Sequence, residues 1–203
     1  MTSEPDWLTT ERPAPWAHGP ARRIFENPWM EVIEQEATAP TGRRANYGWV
    51  RFRNVGVGVL PIHADGTVVL VGQQRFTLAN FSWEMPEGGA PLDENPFEGV
   101  KRELAEEARL EAGVWRPALT MELSNSITDE RAMTWLAWDL SPCEGELDET
   151  EALVLARVPF QELLAAVGRG QVRDAMTVAT TYKAHHMAVT GELPPELARA
   201  MLG

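Results

Sequence analysis

Two nearly unbroken apolar runs, Val55-Gly-Val-Gly-Val-Leu-Pro-Ile62 and Thr67-Val-Val-Leu-Val-Gly-Gln-Gln74, constrain this chain more than any other feature. Runs this continuous suit strands buried on both faces, and such strands need cover on each side. Ala64-Asp65-Gly66 between them reads as a turn, so the unit is strand, turn, strand and belongs to the core. Asn95-Pro96-Phe97-Glu98 reads as a helix start. Asn can cap, proline tolerates the first helical position, and Glu98 can close a capping box. Further strands are expected at Trp115 to Leu123, Met133 to Leu140 and Ala152 to Val158, with polar loops at 124–132 and 141–151. Helices are expected at about 160–167 and 174–189, the second opened by Asp174 with Thr177 three residues on. No repeat period is present. The pattern predicts an α+β or α/β class in three layers, with a mixed sheet, a central helix and C-terminal helices.

Ahead of this core, Trp29 to Ala37 alternates partially and Tyr47 to Arg53 alternates clearly, across a turn at Pro40-Thr-Gly. They are read as an N-terminal hairpin. Residues 1–24 carry Pro5, Pro13, Pro15 and Pro20 with Trp7 and Trp16, which suits an extended arm that is assigned to no element. The expected division is therefore an arm at 1–24, a β extension at 25–54 and the main domain at 55–203.

A chain of 203 residues, 44% hydrophobic, is long enough to bury a core in one domain and is not a disordered tail. Its 18 basic residues are scattered against 30 acidic ones, for a net charge of −12. That leaves no basic face for a nucleic-acid backbone or an anionic membrane. The lone Cys143 rules out an internal disulfide or a zinc-type cysteine cluster and fits a reducing, cytosolic setting. The first residues lack the basic-then-apolar order of a signal peptide, and no apolar run reaches membrane-spanning length. A soluble, cytoplasmic protein is expected.

On a helix of about 100° per residue, Glu103, Glu106 and Glu107 share one arc while Phe97, Val100, Leu104 and Ala108 share the adjoining one. Three clustered carboxylates repel unless water or a cation compensates, and Mg²⁺ or Mn²⁺ prefers such hard oxygen ligands. On spacing alone a solvated acidic face is the better reading. The longer string Gly88-Gly-Ala-Pro-Leu-Asp-Glu94-Asn-Pro-Phe-Glu-Gly-Val-Lys-Arg102-Glu103-Leu104-Ala-Glu106-Glu107-Ala-Arg109-Leu110 decides between them. It resembles the Nudix box, G-x5-E-x7-R-E-U-x-E-E-x-G-U with U aliphatic, at every fixed position except Arg109, where the family has glycine. Asn27-Pro28-Trp29, the Tyr47-Gly stretch, Val71-Gly-Gln-Gln-Arg75-Phe, Trp83-Glu-Met-Pro-Glu-Gly88, Thr128-Asp129-Glu130 and Asp174-x-x-Thr177 are similar to the ADP-ribose and ADP-sugar pyrophosphatase branch. The resemblance thus runs from about 25 to 180.

The resemblance implies an α/β/α sandwich of α+β class and Mg²⁺-dependent hydrolysis, with Mn²⁺ as the other candidate metal, of a nucleoside diphosphate linked to another group. The leading substrate is ADP-ribose or a related nucleotide sugar, cleaved to a nucleoside monophosphate and a sugar phosphate. GDP-mannose, a dinucleoside polyphosphate, or a non-catalytic nucleotide sensor are the alternatives. The Glu87 carbonyl, Glu103 and Glu107 would hold the metal, Glu106 would assist, and a turn at Gly88-Gly89 would let the backbone approach closely. Glu94 and Arg102 are read as an ion pair fixing the loop on the helix, with metal-glutamate orientation as the other role for Arg102. In the acidic loop at 144–151, Glu149 matches the catalytic base and Glu151 a metal or loop partner. Arg75 is read either as a bidentate diphosphate clamp or as a surface arginine. Trp49, Phe52 and Phe76 are candidates for the adenine platform, against the alternative of core aromatics. His185 and His186 point apart on a helix and cannot share a metal, and Cys143 has no activating neighbour. Arg109 either bears a left-handed conformation at the helix end or lets the helix run on to Gly113. Ser126 stands where this branch often has proline. The N-terminal β extension resembles one that forms a domain-swapped homodimer in this branch, where Trp29 and Trp49 could pack.

Overall fold

The computed structural model describes residues 5–145 and 152–203, so Glu149 and Glu151 lie outside the described residues. The chain divides into two compact units, one running to Arg53 and taking in Ser126–Asp129, the other formed by Asn54–Asn125 and Glu130–Gly203.

The larger unit is built around β4 (Asn54–Pro61) and β5 (Thr67–Arg75), the two strands with continuous apolar runs. In β4 side chains alternate between two cores: Val57 and Val59 join one, Leu60 the other, and all three are fully buried. A strand of period two that is apolar on both faces must be covered twice, and it is. On one side α1 (Pro96–Ala108) packs Val100, Leu104 and Ala108 against Val57, Val59, Trp135 and Ala137. On the other, α2 (Phe160–Gly168), α3 (Ala175–Val189) and α4 (Pro195–Leu202) cover Leu60, Ile62, Leu70 and Leu136. The strands form two sheets. One has the order β7-β4-β9-β8 and the other β10-β5-β6, adding β6 (Asn80–Glu84), β7 (Glu87–Pro91), β8 (Leu110–Glu122), β9 (Arg131–Pro142) and β10 (Val154–Pro159). Among the described residues of this unit, only β4 and β9 pair in parallel and the other strand pairs are antiparallel. This is the expected α/β/α sandwich.

Local chemistry sets the helix ends. The Asn95 side chain caps α1 by accepting from Phe97 N at 3.0 Å. The expected capping box does not close: the Glu98 carboxylate accepts from Lys101 Nζ at 3.1 Å instead. Asp174 caps α3 by accepting from Thr177 N at 2.7 Å. Gly99 lets α1 lie close on β7, because a Cβ there would stand 2.7 Å from that of Ala90. Of the two possibilities for the end of α1, the first holds. Arg109 adopts φ 53° and ψ 42° and its N–H bonds to Ala105 O at 3.1 Å. The chain therefore turns at once into β8, five residues before the expected strand start at Trp115, and Gly113 lies within that strand.

The smaller unit holds a three-stranded antiparallel sheet of β1 (Ala17–Glu26), β2 (Met30–Thr38) and β3 (Arg44–Phe52), where a two-stranded hairpin was expected. The assignment of 1–24 to an arm is corrected by β1, which crosses its boundary. Pro20 is accommodated on this outer strand, where a register irregularity falls between His18 and Ala21. Ion pairs such as Arg22–Glu34 at 2.7 Å and Arg53–Glu31 at 3.0 Å lace the strands. Tyr47 Oη donates to Ser126 O at 2.8 Å, tying in the returning segment. Ile33 and Ala37 are buried, while Ile24, Phe25, Trp29 and Tyr47 are exposed. No helix among the described residues is long and apolar enough to cross a membrane.

A left-handed conformation costs a non-glycine residue roughly 1 kcal/mol or more, partly offset in a glycine variant by greater freedom of the unfolded chain. Arg109→Gly is expected to stabilise the protein by up to about 1 kcal/mol in urea unfolding. A loss of stability would show that the Arg109 side chain, rather than backbone strain, dominates at this cap.

Candidate active site

A cleft of about 870 Å³ opens in the larger unit. Its charged lining consists of Glu84, Glu87, Glu103, Glu130 and Asp174 against Arg75 and Arg173. The floor is the corner between β6 and β7, which is gripped from both helical layers. Met85 N donates to the buried Thr177 Oγ1 on α3 at 2.9 Å. Glu87 N donates to Glu107 Oε2 on α1, also at 2.9 Å. Thr177 is fully buried and Glu107 nearly so.

The three box glutamates occupy distinct positions. Glu103 is buried at the cleft wall beneath Gly88. A Cβ on Gly88 would run into the Glu103 carboxylate, which is the physical requirement for glycine here. The expected turn at Gly88-Gly89 is corrected: both residues lie in β7, paired with Val57 and Gly56. Glu107 sits behind, bound to the Glu87 N–H, and Glu106 is half-buried beside Arg102. Arg102 touches the partners that both of its expected roles would involve. It reaches Glu94 at 3.6 Å and the Gly89 carbonyl at 3.3 Å, and it also contacts Glu103 at 2.9 Å and Glu106 at 3.1 Å. The surrounding carboxylates, Glu103 first among them, hold its guanidinium even more firmly charged, against the cost of burial.

Arg75 lines the cleft, but its guanidinium is engaged by Glu84, through Nε at 3.0 Å and Nη2 at 2.5 Å, with Glu87 Oε1 at 3.5 Å. Glu84 is 2% exposed, so this pair holds a buried carboxylate rather than standing open. Burial, Asp174 and Glu84 together push the Glu87 carboxyl well above its ordinary range. Burial likewise raises Glu130. Phe76 is 97% exposed and is not part of the cleft lining. Trp49 and Phe52 belong to the smaller unit, where Trp49 Nε1 donates to Gln35 at 3.3 Å and Arg51 stacks on its ring at 5.0 Å. Burial and Glu111 raise the Cys143 thiol, which keeps it unreactive. His186 lies exposed near Glu192 at 3.8 Å while the adjacent His185 is half-buried, as divergent helix positions require.

Residues that the motif reading did not assign are Phe81, which is 43% exposed and packs edge-on against Trp83, and Asn80, Glu84, Arg173 and Asp174. Glu84 and Asp174 stand inside segments quoted for the resemblance, so a signal existed for them; Phe81, Asn80 and Arg173 carried none.

Hard oxygen donors, a carboxylate cradled by a glycine and an acidic excess fit a divalent cation. Among the described residues no three His, Cys, Asp or Glu side chains converge as a ready cage. Two carboxylates plus a backbone carbonyl suit Mg²⁺, which keeps several waters and takes substrate oxygens.

The acidic cleft of this α/β/α sandwich is floored by a glycine-bearing strand and walled by a glutamate-bearing helix. The NUDIX domain pattern matches residues 52–177, more than half of the chain, and this protein belongs to the NUDIX family. It is a Nudix hydrolase, and such enzymes use a divalent metal. It is 28% identical over 157 residues to an ADP-ribose pyrophosphatase of Bacillus subtilis, covering 76% of this chain and 84% of that protein. It is 27% identical over 143 residues to an ADP-ribose pyrophosphatase of Mycobacterium tuberculosis, covering 68% of each. Its fold matches a solved structure titled "Crystal structure of ADP compounds hydrolase" with a TM-score of 0.80 at 18% identity, over 91% of this chain and 100% of the other.

Gly88→Ala forces the Glu103 carboxylate to move. Mn²⁺ affinity, followed by electron paramagnetic resonance, is expected to fall about 10- to 100-fold with the fold retained. Unchanged affinity would remove Glu103 from the metal set.

Proposed function

We propose that this protein hydrolyses the pyrophosphate bond of ADP-ribose or a related nucleotide sugar, giving a nucleoside monophosphate and a sugar phosphate, with Mg²⁺ as the metal and Mn²⁺ as its substitute. The observation that carries this reading is the lining of the cleft, five carboxylates against two arginines. A diphosphate cannot enter such a field unless cations come with it. A small-molecule substrate suits a cleft of this size, and nucleic acid does not suit a chain of net charge −12. The two ADP-ribose pyrophosphatases it resembles support the choice of substrate.

Glu103 and Glu107 with the Glu87 carbonyl hold the metal, and Glu106 and Arg102 keep those carboxylates in place. When bound, the ion neutralises charge on the phosphate oxygens and lowers the pKa of an attacking water. Glu149 accepts the proton of that water and Glu151 acts as a metal or loop partner. Arg173 contacts phosphate oxygens. Arg75 holds Glu84 in the absence of substrate and turns to the diphosphate when it binds. Phe81, which lines the cleft, is a candidate platform for the base. The smaller unit, whose Trp29 is 64% exposed beside other exposed apolar residues, forms a homodimer interface. The cytoplasm, where a lone thiol stays reduced, is the working compartment.

The test is release of nucleoside monophosphate from ADP-ribose, ADP-glucose, GDP-mannose and diadenosine polyphosphates, with Mg²⁺ and with chelator. ADP-ribose is expected to lead, with no turnover under chelator. Glu107→Gln is expected to lose at least about 100-fold in kcat and remain folded. Glu149→Gln is expected to lose rate and keep metal affinity. Leadership by another compound would move the substrate, and a folded, metal-binding protein that turns over none would point to a sensor. Light scattering of the intact chain should give twice the monomer mass; a monomer would contradict the interface.

A further inference from the structure

Glu84 is the most deeply buried carboxylate of the cleft lining, and the metal assignment gives it no part. On the ladder of β5 and β6, Gln73 faces Ser82 and Arg75 faces Asn80, while Glu84 faces Val71. Opposed residues, and residues two apart, share a face of the sheet, so Gln73, Arg75 and Glu84 project to the same side. The guanidinium reaches back along that face to the carboxylate. Glu84 Oε1 accepts from Arg75 Nε at 3.0 Å, and Oε2 accepts from Nη2 at 2.5 Å and from Gln73 Nε2 at 3.3 Å. Two parallel bonds to one edge of a guanidinium fix its plane as well as its place. Nη2 also donates to Glu87 Oε1 at 3.5 Å. Nε and Nη2 are thereby engaged. Nη1 makes no hydrogen bond among the described residues and is not a buried atom, on a half-buried side chain that lines the cleft.

A cationic nitrogen with two N–H groups, held in a fixed direction, is matched by an acceptor that arrives from outside, and phosphate oxygens are its strongest partners. Full departure of Arg75 from Glu84 would strand a buried carboxylate, which is costly. The turn of Arg75 toward the diphosphate is therefore a pivot on Glu84 rather than a release from it. We propose that Glu84 is a positioning residue for the substrate, holding Arg75 by its Nε–Nη2 edge so that Nη1 meets a phosphate oxygen while the pair stays closed. This deepens the nucleotide-sugar reading and rests on it for the identity of the substrate. The energetic reason is preorganisation. A free arginine side chain loses rotamer freedom when it binds an anion, and one already held by a carboxylate has lost it in folding.

Calorimetry on the intact protein with Mg²⁺, using inorganic pyrophosphate as the probe, reads this contact apart from hydrolysis of a nucleotide sugar. Arg75→Ala is expected to weaken pyrophosphate by at least about tenfold. Glu84→Gln, which keeps the shape of the side chain, is expected to weaken it by about three- to tenfold, and to cost no more than about twofold further when added to Arg75→Ala, because a positioning residue acts only through the group it positions. In ADP-ribose turnover the Glu84→Gln loss should fall mainly on KM. Tighter pyrophosphate binding by Glu84→Gln would show that Glu84 competes for Arg75, and an equal loss with and without Arg75 would show general structural support; either result overturns the proposal. Should Glu84→Gln lose its cooperative urea unfolding, Arg75→Lys decides, since it keeps the charge but cannot be gripped along two parallel bonds. It is expected to bind pyrophosphate nearly as weakly as Arg75→Ala, and an affinity closer to that of the wild type would overturn the proposal. If these variants behave as expected and no nucleotide sugar is hydrolysed, only the functional reading fails. If ADP-ribose is hydrolysed and Glu84→Gln binds pyrophosphate as the wild type does, only the positioning role fails.

Discussion

The corner from Glu84 to Gly88 is held by hydrogen bonds from helices on opposite sides of the molecule, and the cleft depends on that grip. Thr177 of α3 takes the Met85 N–H and Glu107 of α1 takes the Glu87 N–H. Between them Pro86 has no N–H to satisfy, and its carbonyl receives Val59 N at 2.9 Å. Each such bond is worth only about 1 kcal/mol net, but a buried donor left unpaired costs about 1–3 kcal/mol, so the corner has little freedom to shift. With it fixed, Gly88 lies against the Glu103 carboxylate and Arg75 closes on Glu84. The polar α3 stripe has the same explanation. Thr177, Thr180 and Thr181 are buried because their hydroxyls bond to the corner, to Thr134 and back to the helix.

Glu107 thus has two tasks in this account, a structural hydrogen bond to the strand and a share of the metal. A carboxylate has lone-pair sites enough for both. On the proposed metal assignment, that coupling would make the position of the metal a property of the fold rather than of a loose acidic surface. It also explains why one face of α1 can concentrate negative charge: Arg102 threads between Glu94, Glu103, Glu106 and the Gly89 carbonyl and offsets their repulsion until a cation arrives.

Much of this was legible in the chain itself. Apolar residues on both faces of β4 and β5 announced two cover layers, and Asn95 and Asp174 announced the starts of α1 and α3. The acidic face of α1 was equally plain. The short strands β6 and β7 were not, since five residues with serine, glycine and proline give no usable alternation. The start of β8 was misplaced because the left-handed Arg109 ends the helix without a glycine to mark it. β1 was hidden by its proline, and α4 by its length of eight residues. In the site, periodicity could group Glu103 with Glu106 and Glu107, but it could not reveal that Glu106 turns to Arg102 while Glu107 binds the strand. Nor could it show that the Glu87 carboxyl is buried beside Glu84 and Asp174, which is a consequence of three-dimensional packing alone.

The most direct measurement is the anomalous diffraction of crystals soaked in Mn²⁺, which locates the ion without reference to activity. The account predicts a peak bonded to carboxylate oxygens of Glu103 and Glu107 and to the main-chain carbonyl of Glu87, with the Glu87 N–H still held by Glu107. A peak on Glu106 and Glu94 alone, or a bound ion that leaves Glu103 and Glu107 untouched, would contradict it.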